Sequence, residues 1–67
     1  YFHGTKVEMN VSGKTYVSDG TACVGIRADR DFTQTAGDIT VTVASTDAEA
    51  LVVKGTDNRT GGTFTVK

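Results

Sequence analysis

Residues 38–45 read DITVTVAS, the most regular stretch of this 67-residue sequence. Ile39, Val41 and Val43 alternate with polar residues, which are mainly threonine. A two-residue period of this kind is typical of a β-strand with one buried face. We therefore expect the three aliphatic side chains to point into a core and the threonines to point outward.

The composition favours strands along the rest of the chain as well. There are twelve threonines, eight glycines and no proline, and branched residues such as Thr and Val prefer the pleated surface of a sheet. Alternation recurs in residues 5–11, and the glycine in SGK at 12–14 predicts a turn. Residues 5–11 and 14–18 are therefore expected to form a hairpin.

Further along, a second turn is predicted at residues 18–20 and a third strand at 21–28, in which Gly25 marks a bulge or a close backbone approach. Residues 29–37 show no period and are expected to form the longest loop. A single helical turn is predicted at 45–50. The last strands are LVVKG, beginning at Leu51, and TFTVK, beginning at Thr63, separated by a turn in TDNRTGG.

These segments predict an all-β protein, a small barrel or sandwich of five to six short antiparallel strands. Residues 1–67 are expected to form a single β domain, in which residues 1–4 form an N-terminal arm. No internal repeat is visible in the sequence.

A chain of this length needs stabilisation beyond its own core. A domain of about 60 residues buries only about 60% of its unfolded surface, so burial barely offsets the loss of chain entropy. Cys23 is the only cysteine, which excludes a disulfide within one chain, and His3 and Cys23 are too few soft ligands for structural zinc. We expect no cofactor and no metal, and association with further copies or with a larger partner.

The charge distribution bears on the class of partner. Seven Lys and Arg residues balance eight Asp and Glu residues, and the two signs are interspersed. Neither nucleic acid nor a membrane is the expected partner. The longest apolar run, residues 50–53, is far shorter than the ~20 residues that span a bilayer as a helix.

Few residues are candidates for chemistry. His3 is open to interpretation as an acid–base group or as a packing or interface residue. Cys23 lies in an expected strand, where a free cysteine behaves as a small hydrophobic residue. Asp29 and Asp31 are two carboxylates that calcium would accept, but a calcium loop has more ligands, and a solvated surface is favoured. We predict no catalytic residue and no enzyme.

Two parts of the chain resemble proteins of tailed phages. The opening YFHGTKV, followed by Gly13 and then DGTACVGI at 19–26, resembles the start of contractile-tail sheath proteins. The segment DGTACVGI followed by GDITVTV is similar to the middle of small head-decoration proteins. The second resemblance implies a β-rich protein without enzymatic activity that forms trimers and clamps capsid subunits. A 67-residue chain is too short for the contractile domains of a sheath subunit.

The opening residues are therefore interpreted as a partner-binding arm made of Tyr1, Phe2, His3 and Gly4. Two aromatic rings offer apolar area, and a glycine permits close backbone approach, so such an arm is suited to adding to the sheet edge of a neighbour. The alternative is a frayed terminus.

The function expected from the sequence is that of a non-enzymatic phage virion component. It would bind itself, as a homo-oligomer, and a larger capsid or tail lattice protein, in a virion assembled in the host cytoplasm. The alternative is an Ig-like or barrel binding module from a larger extracellular protein.

Overall fold

The structure is a computed structural model that describes residues 1–18 and 24–67. It confirms the all-β class, since the described residues form strands and turns without a helix. No segment of the described chain is thus a helix able to cross a membrane. The seven strands described are β1 (Phe2–Met9), β2 (Lys14–Ser18), β3 (Val24–Gln34), β4 (Asp38–Val43), β5 (Glu49–Val53), β6 (Asp57–Arg59) and β7 (Thr63–Val66).

Every strand pair is parallel, so the predicted antiparallel arrangement is wrong. β3 lies between β1 on one side and β5 and β6 on the other, which makes a first sheet. β4 lies between β2 and β7, which makes a second sheet. Strands that follow each other in the chain alternate between the two sheets, except that β5 and β6 both belong to the first, and neither sheet closes into a barrel. Because β1 and β2 belong to different sheets, residues 5–11 and 14–18 do not form the predicted hairpin.

The register shows that the chain coils. Lys14 pairs with Ile39, and Ile39 pairs with Phe64, so each pairing steps forward by 25 residues. Parallel neighbours need a connection of a dozen residues or more, and here one circuit of the chain provides it. The result is a parallel β-solenoid, an internal structural repeat that the sequence did not reveal. We define its three rungs as rung 1 (residues 2–18), rung 2 (24–43) and rung 3 (49–66).

The hydrophobic core lies inside the coil and is centred on rung 2. Ile39 and Val41 are fully buried, as predicted for the inward face of residues 38–45, whereas Val43 is only half-buried. Rung 2 is covered on both sides, whereas rungs 1 and 3 are each covered on one side only. The seven buried apolar residues of the described chain are Val7, Met9, Ile26, Ala28, Phe32, Ile39 and Val41, and five of these belong to rung 2.

Glycines stand at the corner where the chain passes from the first sheet to the second. Gly13, Gly37 and Gly62 each have a positive φ, of 79°, 85° and 79°, and each directly precedes a strand of the second sheet. Glycine adopts this conformation without the strain that a Cβ brings. The turn predicted at 12–14 therefore exists, but it bends the chain around a corner instead of reversing it.

The segment predicted as the longest loop is largely strand. β3 is the longest strand and continues to Gln34, so only residues 35–37 lie in the turn. Phe32 and Gln34 are both buried, and the Gln34 amide donates to the carbonyl oxygens of Gly37, at 3.2 Å, and Thr63, at 2.7 Å. A buried glutamine breaks the apolar alternation, and this is why the sequence pattern missed the strand.

The remaining predictions on local structure have mixed outcomes. Gly25 is a site of close approach, because a Cβ there would collide with the Val41 side chain. Residues 45–48 form a turn closed by a hydrogen bond from the Ala48 amide to the Ser45 carbonyl oxygen, at 3.2 Å, and β5 follows at once. The segment predicted as a turn at 56–62 contains the short strand β6.

Candidate functional site

The residues predicted to bind a partner lie on the outer edge of rung 1. Phe2, His3 and Gly4 belong to β1, where they pair with residues 26–28 of β3. The amino group of Tyr1 donates a hydrogen bond to the Val17 carbonyl oxygen at 3.2 Å. These four residues therefore follow the edge of the coil. Their role in binding a partner stays a prediction.

The edge of rung 1 is unusually apolar. Of the five large apolar side chains that are exposed in the described chain, four lie in or beside rung 1. We call the free edges of β1 and β2, with these four side chains, the rung-1 end. The four residues are Tyr1, Phe2, Val11 and Val17.

Two aromatic rings cover the core at the rung-1 end. Phe2 and Tyr16 meet edge to face, with ring centroids 5.9 Å apart. Phe2 pairs in register with the buried Ile26, and Tyr16 pairs with the buried Val41. Phe2 nevertheless keeps 40% of its surface exposed. The rung-1 end thus leaves aromatic area uncovered directly above the core.

The backbone at this end is unpaired as well. In the described part of the chain, β1 pairs only with β3, and β2 pairs only with β4. An edge strand presents amide and carbonyl groups that a further strand satisfies readily. Apolar area and a free strand edge are therefore combined at the rung-1 end, which is the combination that β-augmentation uses.

The opposite end of the coil has a different chemistry. Asp57 and Arg59 of β6 stand in register with the buried Phe32 and Gln34 and form an ion pair, with Arg59 Nη2 3.0 Å from Asp57 Oδ2. The Arg59 guanidinium also lies 5.1 Å from the centre of the Phe64 ring. We call this group of three side chains the rung-3 plug. It places charge where rungs 1 and 2 have core residues.

The fold gives His3 a carboxylate partner that is distant in sequence. His3 Nε2 lies 2.7 Å from Asp29 Oδ2, and Arg27 Nε donates to Asp29 Oδ1 at 3.0 Å. The hydrogen bond with His3, and then the one from Arg27, lower the pKa of the Asp29 carboxyl below its ordinary value of 3.8. In the described residues no hydroxyl or thiol group hydrogen-bonds with His3, whose partner is the Asp29 carboxylate.

The two carboxylates considered for calcium are directed to different partners. Asp29 bonds to His3 and Arg27, whereas Asp31 Oδ1 accepts a hydrogen bond from the Thr56 amide at 3.1 Å. Both residues lie in β3 and not in the predicted loop. Within residues 1–18 and 24–67, no three His, Cys, Asp or Glu side chains are grouped to hold a metal ion.

Some sequence predictions fall outside the described residues. Cys23, predicted to be inert in a strand, belongs to the segment 19–23, as does most of the turn predicted at 18–20. The described residues enclose no cavity for a small ligand.

Comparisons with protein-family models, with curated proteins and with solved structures give no match for this chain. Sequence reasoning had singled out Tyr1 and Phe2, but it missed Val17 and Tyr16. Their place beside β1 follows from the coil, and no local pattern indicates it.

Proposed function

We propose that this chain is a non-enzymatic structural protein that stabilises a capsid or tail lattice of a tailed phage through contacts of its rung-1 end. Its partners in this proposal are further copies of itself and a larger lattice protein. It would act within the virion, after assembly in the host cytoplasm. The virion setting is supported by the two sequence resemblances, that of residues 1–27 to contractile-tail sheath proteins and that of residues 19–43 to small head-decoration proteins.

The observation that carries the structural role is the exposed rung-1 end. Repeat proteins whose units touch only their neighbours need polar capping units at their ends to stay soluble. At the rung-1 end, by contrast, Tyr1 is 51% exposed and Phe2 is 40% exposed beside unpaired strand edges. Covering this end with another protein surface removes apolar area from water and pairs the free backbone groups.

The proposal that the chain is not an enzyme has its own support. The His3–Asp29 pair is half-exposed on the outer surface of the coil, and the described residues form no cleft around it. Acid–base and nucleophilic catalysis both work best with a substrate held in a site that excludes water. The pair is better suited to joining rung 1 to rung 2 by a hydrogen bond.

A second candidate is a binding module within a larger extracellular protein. The Ig-like or barrel form of this idea is wrong, because the strands are parallel and coil. The regular step of 25 residues between rungs nevertheless favours a module of this kind, since a solenoid is extended by adding rungs of the same type. In that case a neighbouring rung of the same chain would cover the rung-1 end.

The test replaces Tyr1 and Phe2 together by alanine and measures self-association by sedimentation velocity. We expect association at least about tenfold weaker, because large aromatic anchors dominate interface energies. Val66→Ala is the matched control, since Val66 is 53% exposed but lies at the opposite end of the coil. Circular dichroism verifies that both variants are folded. Association of the Tyr1→Ala/Phe2→Ala variant equal to that of the unmodified chain would overturn the proposal.

A further inference from the structure

We propose that two copies of this chain bind each other through their rung-1 ends about a two-fold axis, with the two β1 strands antiparallel and centred on Val7. The inference rests on the proposed function and makes it more specific, because it names the occupant of the rung-1 end and its register. Two-fold dimers are the commonest soluble assemblies, and each copy contributes the same surface.

The distribution of apolar surface selects the rung-1 end as the interface. Of the five large apolar side chains exposed in the part of the chain that the structure describes, four lie in or beside rung 1 and one, Val66, lies at the other end. The half-covered rings of Phe2 and Tyr16 stand above the core there. A second copy facing this end would continue the core across the centre of the contact, and would cover Phe2 of each copy with the segment of the other copy that follows β1.

The rung-3 plug argues against head-to-tail stacking. If the rung-3 end of one copy covered the rung-1 end of another, the register would place Asp57 against Val7 and Arg59 against Met9 of the second copy. Val7 and Met9 point into the core, so the ion pair would lose water without gaining new partners. Burial of an ion pair costs free energy unless further hydrogen bonds satisfy it. The two-fold arrangement leaves the plug in solvent.

The charges on β1 select the register. Lys6 and Glu8 are exposed on the outer face of β1, on either side of the inward-pointing Val7. When two antiparallel strands are centred on Val7, Lys6 of each copy stands opposite Glu8 of the other. Directly opposed unlike charges stabilise an antiparallel pair, and like charges destabilise it. A register centred on Lys6 or on Glu8 would instead oppose like charges.

The experiment is a charge exchange at these two positions. The variants are Lys6→Glu, Glu8→Lys and the double variant Lys6→Glu/Glu8→Lys, with Lys54→Glu as a charge-matched control outside rung 1. We expect each single variant to weaken dimerisation roughly three- to tenfold, because it opposes like charges twice per dimer. The double variant is expected to regain affinity within about twofold of the unmodified chain, and the control is expected to leave it unchanged.

A covalent test uses a Cys23→Ser background and the pair Lys6→Cys/Glu8→Cys. Side chains two residues apart on a strand point to the same face, so their Cβ atoms are about 6.6 Å apart, beyond the roughly 4.5 Å that a disulfide within one chain would need. Opposite positions of the two-fold register are close enough, so oxidation should give a covalent dimer. The matched control is Asp31→Cys/Thr33→Cys, which has the same spacing on β3 but lies on a strand whose two edges are paired.

The outcomes separate this inference from the proposed function. A chain that stays monomeric at every concentration overturns both. A chain that associates through Tyr1 and Phe2, but in which the charge exchange does not restore affinity and the cysteine pair gives no covalent dimer, overturns the two-fold register alone. Open-ended growth into filaments also overturns it, because head-to-tail contacts do not close.

Discussion

Single side chains hold the coil at its centre, and Val41 is the clearest case. It is fully buried in rung 2, between Tyr16 of rung 1 and Val66 of rung 3. We expect Val41→Asp to abolish folding, because it buries an unpaired carboxylate with a cost beyond the stability of a small domain. Circular dichroism and urea unfolding measure this. A variant that remains folded and soluble at neutral pH would show that β4 does not face the core.

The contribution of Asp29 to the free energy of unfolding depends on pH, and its pKa shift fixes the sign of that dependence. Because the hydrogen bonds with His3 and Arg27 lower its pKa in the folded state, its carboxylate contributes stability above the unfolded-state pKa. That contribution is lost as the pH falls through the lowered folded-state value. We expect the difference in unfolding free energy between the unmodified chain and Asp29→Asn to shrink between about pH 5 and pH 2. A difference that stays constant over this range would contradict the assignment.

How well the burial of a residue can be predicted from the sequence depends on whether its side chain is apolar or polar. Ile39 and Val41 are buried as the alternation predicted. Gln34 is also buried, but the sequence pattern does not predict this, because a glutamine is normally exposed. Its amide is buried because it donates to carbonyl oxygens of Gly37 at a corner and of Thr63 in the next rung. The pairing of His3 with Asp29 could not be predicted either, since it joins positions 26 residues apart.

Strands and corners show why local patterns misled the topology. Alternation of apolar and polar residues indicates a strand with one solvated face, and such strands are commonest in antiparallel sheets. A glycine turn of a few residues suits a hairpin and a solenoid corner equally well. The repeat stays hidden because stacked positions differ in type, as Val7, Phe32 and Asp57 do.

Alanine substitutions at two of the corner glycines should destabilise the fold to different extents. Gly13 and Gly62 both have a φ of 79°, but a Cβ on Gly13 meets no atom within 4 Å, whereas one on Gly62 would collide with the Gly37 carbonyl oxygen. We expect Gly13→Ala to cost about 1 kcal/mol from backbone strain, and Gly62→Ala to cost clearly more. Urea unfolding compares the two variants. Equal decreases in the free energy of unfolding for the two variants would show that the stacked corners are not in contact as described.

The whole molecule explains why the chain is expected to associate. Its described residues span 28 × 23 × 14 Å and form three rungs. Only rung 2 is covered on both sides, so much of the apolar surface lies near an end. The sequence predicted association from chain length and the lack of a disulfide, and the coil identifies the end at which we propose it occurs.

Self-association is tested most directly by the molar mass of the purified chain, measured by light scattering over a concentration series. We expect the mass to rise from the 7.0 kDa of one chain to twice that value and then to stay constant. A mass of 7.0 kDa at every concentration, in a chain whose circular dichroism shows folded β-structure, would contradict the claim that the rung-1 end is a contact surface between copies.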